Sequence, residues 1–593
     1  MHQAGPLFQA GARAATMART IREEAAMAEI NLPAATAAEA LLAMLRLRGI
    51  DYLLANPGTD FAPLIEGIAR APESGLALPE ALIVTHEQAA IAMAHGYWLA
   101  TGRPLAVMVH VTVGLANTLM GVINAARDNV PLLLLSGRTP FGEVGRLGVR
   151  DLPIHWGQEM RDQGAMLREL VKWDYELHLP EQVPELIDRA LAIATSPPMG
   201  PVYLSLPREV LCAELAGITV PEVARQQPTA VSVPAPAALQ EAAQLIARAE
   251  RPVVITQRAG AFAPGFHALA GFAQRFALPV VEFWPSRISL PVTHPMHAGF
   301  DSGPALQAAD LVLVIDGLTP WIPLRHPLPP GCRVIQLGPD PLFAATPVRG
   351  FPCDLALAGE VAASLALLGE ALARLLPENA ARAGLLATAH GEARAARLAQ
   401  ADADGGPPMS PAFVSRRLSE ALPRDAILFS ELGCDPSVMG FAEPGSYFGF
   451  PPSGGLGWGL PAALGAQLAH PDRTVVATVG DGSYLFANPP ACHQVAEALG
   501  LPVLTVVLNN GLYNAVHKTT KMVYPRGHAA RANDMPLTSL QPAPDHVMLA
   551  RASRGHGERV EEPEALPGAI ARALDVVRRE RRQALLDVLV RPA

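Results

Sequence analysis

Two short segments near the C-terminal end carry oxygen ligands in a spacing that suits a divalent cation. The first is Gly480-Asp481-Gly482-Ser483 and the second is Asn509-Asn510-Gly511-Leu512. A diphosphate is a dense anion, commonly held by a magnesium-like ion that takes one or two protein oxygens and leaves its other positions to the phosphates. Asp481 offers a carboxylate, Asn510 an amide oxygen and the turn at Leu512 a backbone carbonyl. Amides of Gly482 and Ser483 at a helix start would attract phosphate oxygens. A glycine-flanked aspartate alone is weak, because such turns are common; its partner segment and their spacing give it weight.

The elements that must position these groups are read from the pattern. Thr474 to Val479 reads as a strand before the aspartate, and Leu501 to Leu508 as a strand before the two asparagines. Asn488 suits an N-cap, Pro489 the first helical position and Gly500 the helix end. A right-handed crossover between the strands places Asp481 and Asn510 on neighbouring strand ends. Near the N-terminal end, strands are expected at Tyr52 to Ala55, Leu82 to Thr85, Leu105 to Val109 and Leu132 to Leu135. They are followed by Asn56-Pro57-Gly58-Thr59, His86-Glu87, His110 and Ser136-Gly137. The carboxyl ends of parallel strands share one edge of a sheet, so these groups converge.

The whole chain suits this plan. Its 593 residues exceed one core, and half are hydrophobic while 17% are charged. The 55 acidic and 46 basic residues give a formal charge of −9, which excludes the clustered cationic surface of a nucleic-acid or anionic-membrane binder. A small molecule is the expected partner. Five cysteines without a CxxC pair point to a reducing cytoplasm and no structural zinc. No apolar run reaches membrane-span length. Gln226 to Ala237 and Ala401 to Pro408 read as linkers. The expected organisation is an N-terminal extension at 1–35, then domains at 36–225, 238–400 and 408–593, each alternating short apolar strands with alanine-rich helices.

A GDG, 26 residues and an NN, each half preceded by a strand, resembles the signature of thiamine-diphosphate enzymes. From about residue 36 onward the chain resembles the group containing benzoylformate decarboxylase and acetohydroxyacid synthase. That resemblance implies an α/β fold of three doubly wound parallel-sheet domains, namely pyrimidine-binding, central and diphosphate-binding. It also implies thiamine diphosphate, Mg2+ or a similar divalent cation, and a homo-oligomer, dimer or tetramer. Thr85-His86-Glu87-Gln88-Ala89-Ala90, running on to Gly96-Tyr97 and Thr101-Gly102-Arg103-Pro104, is similar to the family's catalytic-glutamate segment. Glu87 then donates a hydrogen bond to the aminopyrimidine ring so that the cofactor's C2 proton can be removed. Gly454-Gly455-Leu456-Gly457 resembles the loop whose apolar residue, here Leu456, wedges beneath the cofactor. Gly433 and Cys434 fall where relatives bind the far phosphate, without the usual hydroxyl side chains. The cofactor-binding set is thus Glu87, Gly433, Cys434, Gly454, Leu456, Gly480, Asp481, Gly482, Ser483, Asn510 and Leu512, with Asp481, Asn510 and Leu512 on the metal.

The branch is read from His110-Val111-Thr112-Val113-Gly114-Leu115-Ala116-Asn117, where acetohydroxyacid synthases usually show SGPGATN and benzoylformate decarboxylase a substrate-facing histidine. The resemblance makes His110 a catalytic and substrate residue, His294 of Thr293-His294-Pro295 a second catalytic candidate, and Thr59 and Tyr513 substrate contacts. No adjacent His-His pair occurs, against a pyruvate decarboxylase. The central segment has Asp316-Gly317-Leu318-Thr319 in place of a flavin-type GARFDDR segment, so FAD is not expected. The implied activity is decarboxylation of a 2-oxo acid, with an aldehyde or ketone as a further acceptor. The alternatives are a flavin-free acetolactate synthase-like carboligase, a carbon–carbon-cleaving diketone hydrolase, or a cofactor-binding homologue without catalysis.

Overall fold

The computed structural model describes residues 28–592, so the expected extension at 1–35 lies largely outside the described residues. The described chain forms two compact units. One contains residues up to Ala90 together with Arg103–Thr229, and the other contains Ile91–Gly102 and the residues from Ala230 onward.

The first unit is built on a six-stranded parallel sheet in the order Glu80–Ile83, Tyr52–Asn56, Ala106–Val109, Leu133–Arg138, Val202–Pro207, Asp174–Glu176. Leu53, Ala55, Ala106, Met108, Leu133 and Leu135 alternate onto one face. There they meet apolar residues of the helices Ala37–Leu47 and Val183–Thr195. The short strand Glu29–Leu32 pairs antiparallel with Ile218–Pro221.

The second unit holds two parallel sheets. The central one runs Val280–Glu282, Pro252–Thr256, Leu311–Ile315, Arg333–Gly338, Leu355–Ala358. Its side chains alternate between two cores: Val254, Leu313 and Ile335 join one, while Val253, Val312 and Val334 join the other. That is the pattern of a sheet buried on both faces. The last sheet runs Tyr447–Gly449, Ile427–Glu431, Val475–Gly480, Val503–Asn509, Ala584–Leu589, His556–Val560, all parallel.

Two local expectations need correction. Asn488 sits at φ +53 and makes no side-chain cap to the helix Pro489–Ala498, so Pro489 begins that helix without the expected N-cap bond. Ala401 to Ala403 belong to the long helix Ala380–Ala403 rather than to a linker. Alanine-rich sequence carries that helix through Asp402, which is only mildly unfavourable there, and Asp404 caps its end.

Candidate active site

Adjacent strands bring the two oxygen-bearing segments together: Gly480 lies opposite Leu508 in the parallel ladder, so Asp481 and Asn510 follow neighbouring strand ends. Asp481 begins the helix Asp481–Phe486 and is 4% exposed. Its Oδ1 accepts from the Gly482 amide at 2.8 Å and its Oδ2 from the Gly511 amide at 2.6 Å. The Asn510 side-chain oxygen accepts from the Leu512 amide at 3.0 Å. Behind them Asn509 accepts from the Gly511 amide at 3.1 Å and donates to Asp587 at 3.0 Å, which fixes the turn from a buried anchor.

Burial pushes the Asp481 carboxyl up, while the Gly482 and Gly511 amides pull it down. A divalent cation would offset that desolvation. A carboxylate, an amide oxygen and the nearby Leu512 carbonyl are the hard donors magnesium takes, so the residues fit such an ion. Among the described residues no cluster of three or more His, Cys, Asp or Glu is arranged to hold a metal. Gly482 has no room for a side chain, since a Cβ there would stand 2.9 Å from the Tyr513 ring. Its amide, expected to face a phosphate, is turned instead onto the Asp481 carboxylate.

Glu431 is a site feature that sequence reasoning passed over. It ends the strand Ile427–Glu431, is fully buried, and accepts from the amides of Gly457 at 2.6 Å, Trp458 at 2.8 Å and Gly459 at 2.5 Å. These amides open the helix Gly459–Ala469 and immediately follow Leu456, so the carboxylate pins the base of the loop that bears Gly454 and Leu456. Burial drives its pKa up to about 7 although the three amides and the Ser483 hydroxyl pull the other way. Next to it Leu432 holds φ +55, a strained value for a branched side chain, at the turn leading into Gly433. The Cys434 amide donates to Ser430 Oγ at 3.2 Å, and burial pushes the Cys434 thiol up to about 11, which keeps it neutral. The buried Ser430 and Thr478 hydroxyls, on adjacent strands, both take the Cys434 amide.

In the first unit, Glu87 is the first residue of the helix Glu87–Thr101 and is half-buried. Its Oε2 accepts from the Asn117 side-chain amide at 3.2 Å, joining the glutamate segment to the end of the His110 motif. His110 leads into the helix Val111–Arg127 and bonds through both ring nitrogens. Nδ1 lies 2.5 Å from Asp60 Oδ1, and Nε2 lies 3.1 Å from the Gln158 side-chain nitrogen. Exposed Thr59 opens the turn Thr59–Phe61 that also carries Asp60. The convergence of the Asn56–Thr59, Glu87 and His110 segments along one sheet edge therefore holds. Asp60 directly follows Thr59 but has no motif of its own; the only signal is a charged residue in the turn between the strand Tyr52–Asn56 and the helix Ala62–Ser74.

His294 and Tyr513 belong to the second unit. The His294 Nδ1 accepts from the Met296 amide at 3.1 Å, and burial together with His297 and His390 pushes its pKa down. His297 bonds to the buried Glu282 at 3.0 Å. Tyr513 lies against Gly482, and its amide donates to the Thr538 carbonyl at 2.7 Å.

Comparison with known proteins agrees with this geometry. Residues 35–166 match the thiamine pyrophosphate enzyme N-terminal TPP binding domain, 239–368 the central domain and 432–588 the C-terminal TPP binding domain. The chain belongs to the thiamine pyrophosphate enzymes. Benzoylformate decarboxylase of Pseudomonas aeruginosa is 31% identical over 80% of this chain and 85% of its own length. A probable 2-ketoarginine decarboxylase of the same species is 30% identical over 90% of each chain. Acetolactate synthase isozyme 3 large subunit of Escherichia coli is 26% identical over 86% of this chain and 88% of its own. Among solved structures, the thiamine diphosphate-dependent 4-hydroxybenzoylformate decarboxylase of Rhodococcus jostii superposes with a TM-score of 0.75 at 25% identity, covering 94% of this chain and all of its own. Three parallel-sheet α/β domains and a thiamine-diphosphate enzyme are therefore established together.

Proposed function

We propose that this chain is a thiamine-diphosphate- and Mg2+-dependent decarboxylase of a 2-oxo acid, close in chemistry to benzoylformate decarboxylase, with transfer to an acceptor aldehyde or ketone as a second outcome. The cofactor supplies an electron sink when bound. Asp481, Asn510 and the Leu512 carbonyl hold the metal. Gly433, Cys434, Gly480, Gly482 and Ser483 line the diphosphate seat, while Gly454 and Leu456 support the ring. Glu87 donates a hydrogen bond to the aminopyrimidine, Thr59 and Tyr513 contact substrate, and His110 moves a proton at Nε2. His294 is a further catalytic candidate.

The observation that carries the decarboxylase reading is His110, an imidazole on a strand end beside Thr59 and on the same sheet edge as the Glu87 segment. The central sheet supports a domain without flavin. There Arg258 pairs with Asp316 at 2.9 Å, and Arg349 donates to the carbonyls of Gly317 and Leu318 at 3.0 Å, so the loop replacing the flavin-type segment is filled by its own chain. No helix among the described residues is long and apolar enough to cross a membrane. Exposed apolar side chains on one stretch, Val144 at 84%, Leu147 at 77% and Trp156 at 50%, support assembly into a homo-oligomer, dimer or tetramer, and the free cysteines support a cytoplasmic location. The domain limits that fit this reading are 36–225, 238–400 and 408–593.

The test is carbon dioxide release from a panel of aromatic, branched and basic 2-oxo acids with thiamine diphosphate and magnesium, each with and without an added aldehyde. Release from at least one acid is expected. Joining of two 2-oxo acids without free aldehyde would favour the acetolactate synthase-like alternative, and no turnover of any acid would overturn the decarboxylase reading.

A further inference from the structure

The geometry points to Asp60 as a positioning residue that holds His110 in the tautomer with its proton on Nδ1, so that Nε2 is the atom that exchanges a proton with substrate. This rests on the assignment of His110 to the substrate. Asp60 is 4% exposed, and both its oxygens are engaged: Oδ1 stands 2.5 Å from His110 Nδ1, and Oδ2 accepts the Val111 amide at 3.2 Å. An ionised carboxylate accepts and never donates, so this bond requires a proton on Nδ1, and in the neutral ring that leaves the lone pair on Nε2. The other side of the ring agrees, because the Gln158 side-chain nitrogen, 3.1 Å from Nε2, donates to that lone pair. Thr112 holds Gln158 in place by donating to its main-chain carbonyl at 2.8 Å.

Two further observations show that the arrangement is built rather than incidental. Gly58 leaves the ring its space, since a Cβ there would lie 2.1 Å from His110 Nδ1. Its backbone is extended, so sterics at the imidazole rather than conformation set the need for glycine. Val111, a β-branched residue, sits at φ +30, and its amide is one of the two groups Asp60 binds. One carboxylate thus holds both the ring and the strained turn that presents it. The Gln158 side-chain oxygen beside it is buried without a partner.

The chemistry needs such a device. Loss of carbon dioxide from a 2-oxo acid anion yields an aldehyde only when one proton is added at the carbon that carried the carboxylate. A ring protonated on both nitrogens gives its Nε2 proton to that carbon and regains one from water. The Nδ1 proton stays on the ring, donated to the Asp60 carboxylate, whose charge stabilises the cationic ring throughout.

Asp60→Asn tests this without removing bulk. Its side-chain oxygen can still accept the Val111 amide, but its NH2 then faces Nδ1 and forces the ring proton onto Nε2. With cofactor retention unchanged, kcat for carbon dioxide release is expected to fall about 10²-fold or more while KM moves little. The double variant with His110→Ala should be no slower than His110→Ala alone. NMR of nitrogen-labelled histidine, with the His110 signal assigned by its loss in His110→Ala, should show an Nδ1-protonated ring in the native chain and the opposite tautomer in Asp60→Asn. Should Asp60→Asn fail to fold, Gly58→Ala displaces the ring while keeping the carboxylate, and the same fall in kcat is expected. Normal turnover by His110→Ala would sink the assignment of His110 itself. Impaired His110→Ala with native kcat in Asp60→Asn or Gly58→Ala, or an Nε2-protonated ring in the native chain, would overturn the role of Asp60 alone.

Discussion

Asp481 shows how a single side chain carries two opposed demands. It is buried to 4% exposure, which disfavours its charge, yet two main-chain amides and the neighbouring Asn510 are arranged around an anion. A cation reconciles the two. Removing the carboxylate should therefore leave the fold standing while abolishing metal-dependent retention of the cofactor. For Asp481→Ala, calorimetric titration of thiamine diphosphate with magnesium is expected to show affinity lowered about 10²-fold or more, roughly the loss of one charged contact. Affinity equal to that of the native chain would remove Asp481 from the metal. At this scale the sequence singles out residues where chemistry and spacing coincide, as in Asp481, Asn510 and Glu87. It was silent where a residue acts through another: Asp60 and Glu431 have no motif of their own, and only their burial against specific ring or main-chain donors reveals them.

Elements fix these side chains through their ends. Glu431 joins the end of the strand Ile427–Glu431 to the start of the helix Gly459–Ala469, so its ionisation is coupled to how firmly the Leu456 loop is held. Its pKa is raised from 4.5 to about 7 in the folded chain, so the folded state keeps a proton that the unfolded chain releases. Its contribution to stability is full below pH 4.5 and is lost as pH rises through about 7. Glu431→Gln, whose amide does not titrate, should remove this pH dependence. Thermal unfolding of the cofactor-free protein should show the gap between native and variant narrowing as pH rises from 5 to 7.5. A gap that is constant or widens with pH would contradict the assignment.

Strand positions were legible to within a few residues, because buried parallel strands leave continuous apolar runs such as Leu311–Ile315. Caps were less legible. Asn488 adopts the left-handed region instead of capping, since Asn tolerates that conformation as readily as it caps. The same limit hid Val111 and Leu432, whose positive φ values arise from long-range contacts that no local pattern records.

At the scale of the whole molecule, the first and last parallel sheets carry their candidate site residues in the same way, at the carboxyl ends of strands. The first sheet places Glu87 on a helix start with its carboxylate held by Asn117, and the last sheet supplies the oxygen donors. In the proposed function Glu87 and Asp481 serve one cofactor, Glu87 supplying the hydrogen bond that makes its C2 proton labile and Asp481 the hold on its charged tail. The most direct measurement is the rate of hydrogen–deuterium exchange at C2 of the bound cofactor, read by NMR after acid quench, in the native chain and in Glu87→Ala. Native protein should exchange that hydrogen far faster than free thiamine diphosphate, whereas Glu87→Ala should retain the cofactor and exchange it no faster than in solution. Equal acceleration by both proteins would contradict the account.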